Sequence, residues 1–242
     1  LNEFTREIIS SVPFLRQIDS EYPTSLLGSQ SPPVLFYKGD LSLLKKRKIA
    51  VVGTRKCSIQ GAVFTKQISQ FLAEHNIISV SGLAHGIDEI VHQNACSKTI
   101  GIMPCGFGGT LPTKTQNLCT RIVEEGGLLL SEFPPNTPPR KWRFIQRNRI
   151  IAWLASELIL VEAPRASGAL HTVRFAMEKE KKVWVVPSSP LVYSNHGGLE
   201  LIAAGFAPLC NINQLSIHLN IEKHRQPQRS QSVMSFSEFA HH

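Results

Sequence analysis

From Lys48 onward, short apolar runs alternate with longer segments whose apolar residues recur at helical spacing. The strand-like runs fall at 49–52, 77–81, 99–103, 127–131, 158–161 and 182–186. The helix-like segments fall at 61–75, 86–97, 116–125, 148–156, 168–179 and 198–204. Strands that are predominantly apolar suit a sheet buried on both faces, and the intervening helices supply the two covers. The expected fold is α/β: an extended Rossmann-like, doubly wound, mostly parallel sheet with helices on both faces. Residues 1–47 read as an N-terminal extension, broken by Tyr22-Pro23, Ser31-Pro32-Pro33 and Gly39-Asp40, with a short strand at 34–37. Residues 48–211 read as the Rossmann-like domain, and 212–242 as a polar tail without periodicity at 222–232.

Ligands of such sheets bind beyond the carboxyl ends of the strands, so those ends carry the functional reading. The first, in KIAVVGTRKCSIQG, turns at Gly53 and offers Thr54, Arg55 and Lys56 before the helical segment. A helix N-terminus and two cations there would make an anion site, most simply for phosphate. The other reading is an ordinary strand-to-helix turn with two solvated cations. The second end, Ser81-Gly82-Leu83-Ala84-His85-Gly86-Ile87-Asp88, offers a second cradle through Ser81, Gly82, His85 and Gly86, with Asp88 as a cap. The fourth is followed by a Pro-rich loop bearing Arg140, Lys141, Arg143, Arg147 and Arg149, with Trp142 and Phe144 among them. Cations take phosphates and aromatic faces stack on bases, so this segment suits a nucleic-acid strand. The fifth ends at Ser167 and Gly168, where Ser167 is placed to cap the next helix.

Charge points the same way. Lys plus Arg number 26 against 18 acids, a formal net charge of +8, which favours a polyanionic partner. The five cysteines, Cys57, Cys96, Cys105, Cys119 and Cys210, include no CxxC pair, which argues for reduced thiols in a cytoplasmic protein and against zinc. No apolar run approaches a membrane span, and the first residues lack a signal-peptide core. Reaction machinery is not evident. The Gly53 turn lacks G-x-G-x-x-G, Walker-type and nucleophile-elbow motifs are missing, and no carboxylate pair is placed for acid–base work. No cofactor, metal or catalytic residue is expected.

These motifs together resemble the DprA/Smf family of DNA-processing proteins over about residues 22–210. The carriers are YPTSLLGSQSPPVLFYKGD, VVGTRK, SGLAHGID, SEFPPNTPPRKWRFIQRNRI, VEAPRASGAL and Gly197-Gly198 with Leu201-Ile202. The resemblance implies a non-enzymatic single-stranded DNA-binding protein of natural transformation. Such a protein protects incoming DNA, forms a homodimer and loads RecA for recombination. By motif it carries DNA contact onto Gly53, Thr54, Arg55, Ser81, Gly82, His85, Gly86, Arg147 and Arg149. Three positions depart from the family pattern: Leu111 precedes Pro112 where a tyrosine is usual, Gly198-Leu199 replaces Cys-Asn, and His85 often corresponds to an arginine. The alternative is a nucleotide-processing enzyme of the phosphoribohydrolase type. Its P-G-G-x-G-T-x-x-E signature finds no matching glutamate in Arg165–Thr172, and Glu178 lies too far along the helix.

Overall fold

A computed structural model describes residues 12–189 and 191–221. The strands are β1 (Phe14–Arg16), β2 (Val34–Gly39), β3 (Lys48–Val52), β4 (Ile78–Ser81), β5 (Thr99–Ile102), β6 (Leu128–Ser131), β7 (Glu157–Leu160), β8 (Lys182–Val185) and β9 (Ala207–Pro208). The helices are α1 (Ile59–Glu74), α2 (Ile87–Asn94), α3 (Thr113–Glu124), α4 (Lys141–Gln146), α5 (Asn148–Leu154), α6 (Ala169–Glu178), α7 (His196–Ala203) and α8 (Ile212–His218). The strands form one sheet in the order β1-β2-β6-β5-β4-β3-β7-β8-β9. β3 to β9 run parallel, and β1 and β2 add an antiparallel edge beyond β6. The expected extended Rossmann-like, doubly wound fold is what forms.

The pleat explains the layers. Along β3, Ala50 and Val52 face one cover while Ile49 and Val51 face the other. The first cover is α5 and α6, through Ile150–Leu154, Val173 and Ala176. The second joins Ile68 and Leu72 of α1, Ile87 and Val91 of α2, and Leu215 of α8. Further along that second face, Leu129 packs with Leu118 and Ile122 of α3.

Three expectations differ. Residues 1–47 do not pack apart from the sheet in their described part: Phe36 to Gly39 pair with Ser131 to Leu128, and Leu15, Tyr22, Leu26, Leu35 and Leu43 join the main core. β2 fully buries only the adjacent Leu35 and Phe36 and ends in two exposed residues, so its pattern hides this integration at the sequence level. The C-terminal tail begins later than 212, because Leu215 and Leu219 are buried against the sheet; 222–242 lie outside the described residues. The Pro-rich loop carrying the arginines becomes helical from Lys141. Helical spacing sorts its residues: Arg143, Phe144 and Arg147 turn inward, while Lys141, Trp142 and Ile145 face out.

Candidate nucleic-acid interface

β3 to β6 step in one direction across the sheet, and β7 begins on the far side of β3. That reversal opens the switch-point crevice beyond the strand ends, where Gly53 and Glu162 emerge. The Thr54 amide donates to the Glu162 carbonyl at 2.7 Å, and Thr54 is itself buried.

The helix-N-terminus reading of the Gly53 turn is corrected here. α1 starts at Ile59, six residues beyond Gly53, and its N-cap is already engaged by side chains of the protein. Ser58 Oγ accepts from the Gly61 amide at 3.0 Å, and the buried Glu162 carboxylate accepts from the Ser58 amide at 2.9 Å and from the Ser58 hydroxyl. Ser194 Oγ donates to the same carboxylate at 3.0 Å. The anion favoured by this dipole is internal. The motif offered no sign of it, since Glu162 lies 104 residues from Ser58.

The second turn is built over a buried ion pair. Arg147 and Asp88 side chains are 3% and 8% exposed, with Arg147 Nη2 3.9 Å from Asp88 Oδ2. Arg147 Nη1 also donates to the Ile102 carbonyl. Burial pushes the Asp88 carboxyl above its usual range, opposed by Arg147, the Ser81 hydroxyl and the amides of Ala84 and Gly53. Burial likewise lowers Arg147 to about 10, against the pull of Asp88. Gly82 covers the pair, and a Cβ there would lie 2.2 Å from Arg147 Nη2 and 2.4 Å from Asp88 Oδ2. Gly86, at φ +79°, opens α2 and lets its backbone cross the Thr54 carbonyl, 2.4 Å from where a Cβ would stand. Ser81 is fully buried, with its hydroxyl on the Val51 carbonyl at 2.7 Å.

The expected contacts therefore divide. Ser81, Gly82 and Arg147 are interior supports rather than phosphate contacts. Arg149 is corrected in the same way. Its fork donates to Glu132 Oε1 at 2.7 Å and Oε2 at 2.6 Å, and to the carbonyls of Gln146 and Gln30 at 2.9 and 3.1 Å. With both side chains under a tenth exposed, that fork is already filled. Arg143 is half-buried, donates to the Pro138 carbonyl and stacks on Phe133 and Trp142 at 5.1 and 4.9 Å. Ser167 Oγ accepts from the Ala169 amide at 3.2 Å, and the Gly168 carbonyl accepts from Asn148 Nδ2 at 3.1 Å. These two residues sit beyond β7, and no described contact joins them to the Arg55 group.

What remains outside is compact. Arg55 lies over the Phe144 ring at 5.4 Å, and Arg147 approaches that ring at 6.0 Å. The stack joins the turn after β3 to α4. Beside it, Lys56, His85, Arg140 and Lys141 are exposed, and Trp142 is 51% exposed with its edge on Phe133 at 6.2 Å. His85 Nδ1 is 3.3 Å from Glu89 Oε2, and Lys114 reaches Glu89 Oε1 at 2.8 Å, extending the charged rim. Exposed cations with an open aromatic face hold phosphates and stack a base. Leu111, at the position where the family pattern has tyrosine, is buried near Phe107 and Leu118 and serves the core. Among the described residues no cluster of three potential metal ligands occurs.

His92 fixes the second turn from behind. Its Nε2–H donates to the Gly82 carbonyl, and Nδ1 lies 2.8 Å from the Thr99 hydroxyl oxygen, which itself donates to the Ser79 carbonyl at 3.0 Å. Burial lowers this imidazole from 6.5 to about 4. In the unfolded chain it protonates near 6.5; in the folded chain it stays neutral until about 4. Its share of stability is intact above pH 6.5 and is lost on acidification toward pH 4, by up to about 3 kcal/mol. The raised Asp88 carboxyl acts in the opposite sense, so the measurement compares the parent with His92→Gln in urea unfolding from pH 7.5 downward. The parent should lose stability more steeply, and equal slopes would remove His92 as the source.

The profile of the family described as DNA recombination-mediator protein A matches residues 13–220. The DNA processing protein DprA of Streptococcus pneumoniae is 41% identical over 192 residues, covering 78% of this chain and 67% of that protein. Protein Smf of Synechocystis is 38% identical over 210 residues, covering 84% of this chain and 52% of that protein. The chain thus spans about half of the Synechocystis relative. The X-ray structure of the S. pneumoniae protein superposes with a TM-score of 0.82 at 34% identity, over 93% of this chain and 80% of that one. A structure of DNA processing protein A from Helicobacter pylori, described by its single-stranded DNA binding mode, gives 0.78 at 29% identity over 88% and 97%.

Proposed function

The chain belongs to the DNA recombination-mediator protein A family, and on that premise we propose that it binds single-stranded DNA along the carboxyl edge of β3 and β4. The Arg55–Phe144 stack beside exposed Trp142 carries this reading, because it sets a free guanidinium and an open aromatic face within one surface. Lys56, His85, Arg140 and Lys141 extend the track for the phosphates. Thr54, Gly53 and Gly86 shape its floor.

We read the chain as a binding protein rather than an enzyme. Glu178, the glutamate on the helix that follows the late turn, ends α6, roughly 15 Å along the axis from its start, too far for the role it would have in the enzymatic alternative. The wider role follows the family: a cytoplasmic mediator of natural transformation that protects incoming DNA, acts as a homodimer and loads a RecA recombinase. Leu199, Leu201, Ile202 and Phe206 are half-exposed along α7 and its exit and suit a dimer contact, whereas Leu209 is fully buried in the core. Light scattering at micromolar concentration should show a dimer, and a monomer would end that part of the reading.

Labelled single- and double-stranded oligonucleotides of equal length, titrated at several salt concentrations, test the binding. Single strands should bind more tightly, with little sequence dependence. Arg55→Ala should weaken binding by about 1–3 kcal/mol for every sequence and flatten the log–log salt slope by roughly 0.7. Trp142→Ala should cost about 1–3 kcal/mol with the salt slope unchanged, as loss of a stacked base requires. Melting should barely move in either variant. Full affinity in well-folded Arg55→Ala would remove Arg55 from the interface.

A further inference from the structure

A second basic feature lies at the opposite end of the strands. Lys45, Lys46 and Arg47 lead into β3, Lys48 is its first residue, and Lys181 immediately precedes β8. All five line a cavity of about 410 Å³ between the loop 20–25, the turn 41–48 and the end of α5. That volume is the size of a small-ligand site. The lining is apolar at Tyr22, Pro23, Leu41 and Leu44, and Ser25 and Ser156 also line it.

The charge in this cleft is balanced only in part, by the attraction between Glu21 and Lys45. Glu21 is the carboxylate among the lining residues, and Arg47 is committed to Glu157 at 3.2 Å. Lys48 Nζ donates to the carbonyls of Leu44 and Lys46, both at 2.7 Å, so its ammonium is held by neutral oxygens. Burial lowers the Lys48 amine below the usual lysine range, and Lys181 adds to the effect. Burial and Lys179 do the same to Lys181. Lys48 and Lys181, two half-buried ammoniums of which the second disfavours the first, would be relieved by an anion, and Lys45 and Lys46 stand exposed at the same mouth. The DNA track proposed above cannot serve it, because five residues of β3 put roughly 16 Å between the two strand ends.

We propose that this cleft is a separate phosphate-binding site for a ligand of nucleotide size, with Lys45, Lys46, Lys48 and Lys181 taking the phosphate and the Tyr22–Leu44 wall taking sugar or base. The phosphate belongs either to a free nucleotide or to the terminal nucleotide of a strand. The site is independent of the single-stranded DNA reading, and its test separates the two.

Isothermal titration of the full chain with deoxyadenosine monophosphate, inorganic phosphate and deoxyadenosine reads the site directly. The nucleotide should bind, phosphate should compete, and the nucleoside should bind at least tenfold more weakly than the nucleotide. Lys45→Gln with Lys181→Gln should weaken the nucleotide at least tenfold, and Arg55→Ala should leave it unchanged. Lys45 is exposed, so Lys45→Gln alone, which should weaken the nucleotide about threefold or more, keeps the test valid if the Lys181 change disturbs folding. A 5′-phosphorylated dinucleotide that displaces the nucleotide identifies a strand end as the source; weaker competition than by the mononucleotide identifies the free nucleotide. Equal affinity for nucleoside and nucleotide, an unaffected lysine variant, or loss on Arg55→Ala would overturn the proposal.

Discussion

Asp88→Ala is expected to cost the fold about 3–5 kcal/mol, because it strands a buried guanidinium without its counter-charge. Arg147 is 3% exposed, and it would keep its hydrogen bond to the uncharged Ile102 carbonyl. The same carboxylate accepts from the amides of Gly53 and Ala84, so its loss also frees the two turns that present Arg55 and His85. For a chain of this size, such a loss lowers the melting temperature by about 10 °C. Single-stranded DNA affinity should fall as well, although Asp88 itself touches no phosphate. Asp88→Asn keeps the shape and part of the hydrogen bonding and should lie between the parent and Asp88→Ala. Urea unfolding measures all three. A loss under about 1 kcal/mol would show that Arg147 finds water or another acceptor when Asp88 is removed.

Arg149→Ala should be comparably destabilising, about 3–5 kcal/mol, for the same physical reason with the sign of the stranded charge reversed. Glu132 would keep Gln146 Nε2 at 3.0 Å but lose both arms of the arginine fork. The link from α5 to the Gln30 carbonyl in the edge segment would go too. Arg149→Lys should recover little, since one ammonium cannot reproduce a bidentate contact together with two carbonyl bonds. In a sample kept well below its melting temperature, Arg149→Ala should bind single-stranded DNA within twofold of the parent. A large affinity loss in folded protein would return Arg149 to the contact set. This outcome separates a motif retained for architecture from one retained for the ligand.

Much of the fold was legible because its signals are local. Apolar runs such as Ile49–Val52 and Leu158–Val161 announce strands covered on both faces, and helical spacing between them implies parallel crossovers. The edge of the sheet that carries the turns at Gly53, Gly82 and Gly86 follows from that order, as does the nearness of cations and aromatics in 140–149. The motifs also sufficed to indicate the family. The Leu15–Tyr22–Leu26–Leu35 contribution to the core was not legible, because those residues lie in short pieces whose partners are in β6 and α5.

Which of the motif residues stay open to solvent was decided by the tertiary structure alone. Arg55, Arg147 and Arg149 have the same side chain and the same charge in the sequence. Packing leaves Arg55 outside on Phe144, sets Arg147 beneath Gly82 against Asp88, and closes Arg149 on Glu132. The N-terminus of α1 shows the same principle, for the sequence provides a helix start with nearby cations and Glu162 arrives from 104 residues away to take the place of the anion. Periodicity and turn chemistry act between neighbours and are written along the chain. Desolvation and ion pairing depend on what folding brings within a few ångströms, so the same guanidinium stays at the surface or becomes an internal strut according to its burial.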